Sequence, residues 1–343
     1  MTDYPRYQGK TLAYLDQNIL DIFVKHGMID FAYSIKDNYQ IVYSDETLKE
    51  IKRSGDYAKK FLDVLVELDA FQIKQRMTSA FEVTDEATVS KRDPYEAYAE
   101  YCSQEPVYEE LIQSMMQSLL KTHGGRKGDD FEVLKNEQLG AFSGLLDHLQ
   151  EQADVIRQAN PIVAESIDAY SSLSKIHMES TLDQSTSIMS SNVENEEDWS
   201  GVKAFRYAMG IGPKELNNIS PPKVLEQIWE LYKHKNEYKD LNWTLEDFFS
   251  IRTNPIYPEK PYFNFQKVTA IYNHLNIIGY YPDSKTHRER RFTAAMSDQG
   301  HASIGSFAKV LVSRDESFVK KTMAAYEFLG IDTEIMWVSV ENA

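Results

Sequence analysis

Cysteine is nearly missing from this chain of 343 residues. Cys102 stands alone, so no intrachain disulfide can form and a cysteine-built zinc module is excluded. Long apolar runs are missing too: none approaches the roughly 20 residues needed to cross a bilayer. The opening MTDYPRYQGK lacks the apolar stretch of a secretory signal. The expectation is a soluble, cytoplasmic protein with no membrane partner. Cations are in short supply, with 37 Lys and Arg against 53 Asp and Glu and a formal net charge of -16. Broad, passive adhesion to nucleic acid needs a basic surface, which this composition does not provide. No internal repeat is visible.

What is present suffices for a core, because 42% of the residues are hydrophobic and 12% aromatic. TLAYLDQNIL reads as a buried strand running straight into a helix that ends near Gly27. QIVYS is a second short strand, followed by the capped helix SDETLKEIKRSG and another helix from Tyr57 to Leu68. From about Thr78 to Pro282 helical periodicity dominates, broken by loops such as HGGRKGDD and Pro221-Pro222. HGGRKG is no phosphate loop, since the Gly-Lys-Ser/Thr ending is missing. The end of the chain turns α/β again: a helix over Asp298–Ala308, the strand KVLVSRD, the helix ESFVKKTMAAYEFLG and a last strand TEIMWVSV. Two such fragments, each too small to bury its own sheet, should combine into one α/β domain with the helical block inserted between them.

Reactive residues gather at predicted strand ends. Asp16 ends the first strand, with Asn18 close behind, and Asp315 ends KVLVSRD. Glu50 lies on the helix after the second strand, with Glu46 its rival one turn earlier, and Asp298 has His301 three residues on. In open parallel sheets ligands bind beyond the carboxyl ends of the strands, so acids from distant stretches can meet there. Carboxylates brought together repel, and a hard divalent cation such as Mg2+ or Mn2+ relieves that repulsion. Asp16, Asp298 and Asp315 would also serve as helix caps. The basic stretch of Lys285, Arg288, Arg290 and Arg291 is either a solvated helix face or a set of phosphate contacts. Tyr257, Tyr262, Tyr272, Tyr280 and Tyr281 either stack on unpaired bases or pack internally.

YLDQNIL resembles the first strand of the PIN-like nucleases, in which an apolar strand is followed by Asp, any residue, and Asn. YSDETLKEI is similar to their second segment, a Ser or Thr after a strand with an acidic ligand six residues later. SDQGHASIGSFAKVLVSRDESF resembles their C-terminal part. The resemblance covers about residues 10–75 and 285–340. It implies a PIN-like parallel sheet flanked by helices with a large all-helical insertion, divided as 1–77, 78–284 and 285–343. It also implies Mg2+ or Mn2+ held by Asp16, Glu50, Asp298 and Asp315, which are the catalytic residues, with Asn18, Ser313 and His301 in support. Arg288, Arg290 and Arg291 are then candidate substrate contacts. The implied activity is endonucleolytic cleavage of phosphodiester bonds, in RNA sooner than in DNA. The insert would serve a homodimer or a protein regulator. The alternative is a non-catalytic scaffold whose helical insert binds a partner; an aspartyl phosphatase is disfavoured by Asn18, where those enzymes favour Asp.

Overall fold

Alternation of short apolar strands with amphipathic helices builds the first half of the sheet. In a computed structural model, which describes residues 7–78, 82–103, 106–255 and 258–339, β1 (Leu12–Leu15) leads into α1 (Gln17–His26). Helix α2 (Asp30–Asn38) precedes β2 (Gln40–Tyr43). Ser44 then caps α3 (Asp45–Arg53) through a reciprocal box with Thr47, satisfying two backbone amides at once. Helix α4 (Ala58–Glu67) follows, then β3 (Phe71–Met77), β4 (Val83–Ser90) and α5 (Pro94–Cys102). The long helices α6 (Pro106–Thr122), α7 (Phe131–Ile156) and α8 (Pro161–Asn192) come next. They are followed by α9 (Gly201–Met209), α10 (Pro213–Leu216), α11 (Val224–Tyr232), α12 (Leu245–Phe248) and α13 (Asn264–Ile278). The chain closes with α14 (Glu289–Gly305), β5 (Val310–Ser313), α15 (Glu316–Leu329) and β6 (Glu334–Trp337).

The six strands form one sheet in the order β4-β3-β2-β1-β5-β6, parallel throughout except for the antiparallel β3–β4 pair. From β1 the chain first winds outward through β2 and β3, and later returns to lay β5 and β6 against the other side of β1. The direction of winding therefore reverses between β1 and β5. Such a switch point leaves a crevice beyond the carboxyl ends of the two strands. Leu15 pairs with Val312, so the residues that follow, Asp16 and Ser313, lie side by side at the carboxyl ends of the two strands. Ala13, Leu15, Ile41, Tyr43, Val310 and Val312 share a core with Ile19, Phe23, Leu48, Ile51 and Leu62 of the flanking helices. The alternate residues Tyr14, Val42 and Leu311 are equally buried, as strands covered on both faces require.

The chain divides into two compact units. The first comprises Met1–Ser103, Arg206–Ser284 and Thr293–Ala343 and holds the whole sheet. The second comprises Gln104–Phe205 and Lys285–Phe292, where α7 packs against both α6 and α8. Residues 83–90, expected within the helical stretch, are instead the edge strand β4, and residues 206–284 group with the sheet rather than with the long helices. The helix expected to begin at Asp298 begins at Glu289, because Phe292, Ala295, Met296 and Ala302 form one buried helical series. Of the tyrosines noted above, Tyr272 and Tyr280 are buried packing residues, and Tyr257 lies outside the described residues. No helix among the described residues is long and apolar enough to cross a membrane.

Helix α3 owes its place to Leu48 and Ile51, both fully buried under the sheet. Leu48→Ala should lower the free energy of unfolding by about 2–5 kcal/mol, with an unchanged urea m-value. A cost below about 1 kcal/mol in urea denaturation would contradict this packing.

Candidate active site

Asp16 stands at the carboxyl end of β1 and is almost wholly buried. Its Oδ2 accepts hydrogen bonds from the Ser313 hydroxyl at 2.7 Å and from the Asn18 amide nitrogen. The same Ser313 Oγ accepts from the backbone N–H of Asp315 at 3.1 Å and from Asn18 Nδ2 at 3.2 Å. Asn18 is fixed in turn by the Arg314 backbone N–H, which donates to its Oδ1 at 3.1 Å. One serine hydroxyl thus joins acids drawn from opposite ends of the chain. Asp315 is exposed, and its Oδ1 caps α15 by accepting from Phe318 N at 2.9 Å. The capping alternative is therefore realised for Asp315.

Glu50 and His301 form the facing wall. His301 is fully buried; its Nδ1 is 2.6 Å from the Tyr14 hydroxyl and its Nε2 is 3.4 Å from Glu50 Oε2. Tyr14 also reaches Ser44 Oγ at 2.7 Å, so the cap of α3 and the histidine of α14 share one buried hydroxyl. Glu50 pairs with Arg53 at 2.6 Å. Its rival Glu46 is occupied elsewhere, accepting from Ser297 Oγ at 3.2 Å. Gly300 makes this packing of α3 on α14 possible, since a Cβ there would lie 2.8 Å from Glu46 Cγ and Cδ.

Charge is unevenly distributed over this set. Burial pushes the Asp16 carboxyl upward, and the charges of Glu50 and Asp315 add to this against the opposing His301 and Ser313. Half-buried Asp298 is pushed well above its ordinary 3.8 by desolvation and by Asp16 and Asp283, more than Lys321 and His301 pull it back. Burial alone would raise Glu50, but His301, Arg53 and Ser297 outweigh it and hold the carboxyl low. Burial would likewise lower His301, yet Tyr14, Glu50 and Asp16 carry it well above 6.5. His301 Nε2 is buried without a hydrogen-bond partner, so its 3.4 Å approach to Glu50 is an electrostatic contact.

Lys321 and Asn276 are buried residues that the sequence does not single out. Lys321 on α15 is fully buried, donating to Asn276 Oδ1 and to Asp283 Oδ1, each at 2.7 Å. Its Nζ also stands 4.2 Å from the centre of the Tyr272 ring. The Tyr272 hydroxyl is buried without a hydrogen-bond partner, and Asp298, Asp283, Asp315 and Asp16 add to the burial that raises its pKa. Arg288, Arg290 and Arg291 are exposed in the second unit and take no part in this network.

Among the described residues no group of three or more His, Cys, Asp or Glu side chains is placed to hold a metal ion. The donors nevertheless fit a hard cation in kind. They are carboxylate oxygens of one sign, two of them driven toward protonation, beside an orphaned buried hydroxyl. No family model, no curated protein and no solved structure matches this chain.

Raised folded-state values for Asp298 and Asp16 mean that their contribution to stability is fully present below the ordinary value of 3.8 and is lost as pH climbs through the raised ones. His301, raised above 6.5, acts in the same sense. Metal-free protein should therefore lose thermal stability as pH climbs above about 4, and Asp298→Asn should flatten that decline. A melting temperature of Asp298→Asn that falls as steeply as wild type over this range would contradict the assignment.

Proposed function

We propose that this chain is a divalent-metal-dependent nuclease whose carboxylate site lies at the switch between β1 and β5. The observation that supports the reading is the Ser313 hydroxyl bonded to both the Asp16 carboxylate and the Asp315 backbone, because it ties together residues from the two ends of the chain. The order of motifs, Asp-x-Asn after the first strand and Ser-x-Asp after the fifth, supports a PIN-like nuclease.

On this reading Asp16, Glu50, Asp298 and Asp315 would hold Mg2+ or Mn2+. The ion, when bound, supplies an activated water and stabilises charge on a phosphodiester. The protein's part is orientation. Asn18 and Ser313 fix which oxygen of Asp16 is presented, as supporting hydrogen bonds do for carboxylate ligands. His301, steadied by Tyr14, keeps a proton facing Glu50 and maintains that carboxyl in its charged form. Glu50 therefore stays available as an oxygen donor well below neutral pH. RNA is the substrate class that the resemblance favours over DNA. The acidic total suits a selective enzyme better than one that coats nucleic acid.

A second reading, a non-catalytic partner-binding protein, rests on the exposed apolar side chains of α8, with Ile162 at 75%, Leu173 at 70% and Ile176 at 66% exposure.

Incubation with a mixed pool of RNA and single-stranded DNA separates the two. Cleavage should appear with Mn2+, stop with chelator, and fall by at least about a hundredfold in Asp16→Asn and Asp315→Asn. Cleavage that persists in chelator, or equally in both variants, would overturn the nuclease reading. No cleavage of either pool, together with capture of a protein partner lost on Leu173→Glu, would favour the second.

A further inference from the structure

A helix that is apolar on two sides needs two neighbours, because one neighbour covers only one of its faces. Helix α8 is of this kind. Its buried residues are Ala164, Ser171 and Thr186, and α7 is the helix it packs against. Elsewhere on α8 stand Ile162, Tyr170, Leu173, Ile176 and Ile188, each at least 64% exposed. Steps of three and four residues, with the exposed Ser166, His177, Ser180 and Gln184 in the gaps, join these into one continuous stripe. The stripe contains no Asp, Glu, Lys or Arg, although 26% of the chain is charged. The acids Asp168 and Asp183 lie off it, paired at 3.0 Å with Arg157 and Lys135.

Charge selects the class of partner. A basic protein drawn to this acidic chain would dock where acids are, and the stripe has none. An anionic membrane surface calls for a basic rim, whereas Lys175 is the one Lys or Arg in the whole of α8. Exposed apolar residues depleted of charge are instead the composition of a protein interface core. Two copies of a chain carrying a net charge of -16 repel one another over acidic surface and approach at least cost where the surface is charge-free.

The pattern on α8 also suits its own copy. Ile162 and Ile188 lie equally far from Lys175 along the helix, as do Ser166 and Gln184, and Tyr170 and Ser180. In an antiparallel pair crossing at that point, Ile162 of one copy meets Ile188 of the other at both ends. Leu173 and Ile176 of the two copies gather at the centre, and each Tyr170 has a Ser180 opposite. A two-fold interface requires such self-complementarity. Antiparallel order further sets the N-terminus of one α8 beside the C-terminus of the other, which their dipoles favour. The 32 residues of α8 make a strip about 48 Å long and about 10 Å wide, which buries roughly 1,000 Å2 over the pair, enough for a specific interface at the small end of the range.

We propose that this chain forms a two-fold homodimer through the exposed stripe of α8, with the two helices antiparallel. The pairing is independent of the chemistry of the crevice, and it names one occupant, a second copy, for the face on which the partner-binding reading stands.

Sedimentation of the full chain across micromolar concentrations tests this. A species of twice 39.6 kDa should grow with concentration, and Leu173→Glu should weaken it at least about tenfold, since it sets two carboxylates at the centre of the pair. Both residues are exposed within one copy, so Leu173→Glu and Ile176→Glu should keep the wild-type melting temperature of the monomer. Register is read by cross-linking. Cys102, free and exposed, is first replaced by Ser, and Ile162→Cys and Ile188→Cys chains are then mixed with a short bifunctional thiol reagent. Products joining the two kinds of chain support the proposal, and products joining like with like overturn it. A chain monomeric at the highest concentration overturns it too, whether or not the stripe then takes a different protein or a lipid vesicle. So does a dimer indifferent to Leu173→Glu and Ile176→Glu.

Discussion

Mutual repulsion of carboxylates in the crevice between β1 and β5 is the constraint to which the rest of the site answers. Asp16 is buried and still bears the influence of Glu50 and Asp315, an arrangement unfavourable in water-poor surroundings unless something positive or hydrogen-bonding offsets it. Each neighbour supplies part of the offset. Ser313 and Asn18 donate to Asp16, and His301 Nε2 stands 3.4 Å from Glu50. A structural acid cluster could be relieved more simply by replacing one acid with a neutral residue. On the proposed reading, these acids and the orphaned tyrosine hydroxyl serve an ion that binds and leaves.

The fold makes this arrangement possible through its winding. β1 and β5 pair in parallel although nearly the whole chain separates them, and their carboxyl ends finish level. The backbone N–H of Asp16 donates to Val312 O at 3.0 Å, so the register is fixed up to the residue before Ser313. The position of Asp16 therefore follows from backbone pairing and not from loop conformation, and sheet-borne groups are held more closely than loop-borne ones. Helices α3 and α14 add Glu50, Asp298 and His301 from buried faces, with Gly300 permitting their close approach.

Much of this was legible where the signal is local. YLDQN and KVLVSRD each declare a buried strand ending in an acid, and Ser44 with Thr47 marks the start of α3. The hairpin of β3 and β4 was not legible, because FQIKQRM and VTDEATVS carry charged or polar residues at an edge with little burial, and the apolar alternation is weak. Asp298 reads as a helix start, whereas α14 already begins at Glu289 within the basic run. Lys321 was hidden beside Lys320, a pair that reads as a solvated face, and Asp283 by a Pro-Asp turn. Tyr14 looked like one more apolar strand residue until its hydroxyl was found between Ser44 and His301. Long-range electrostatic partners leave no periodic trace in sequence, and that accounts for the residues missed around the acids.

The most direct measurement is an anomalous-difference map from crystals of the full chain soaked in Mn2+. The account predicts a peak at coordination distance from the Asp16 carboxylate, flanked by at least two of Glu50, Asp298 and Asp315. Bound manganese found only elsewhere, or a crevice without a peak at saturating Mn2+, would contradict it.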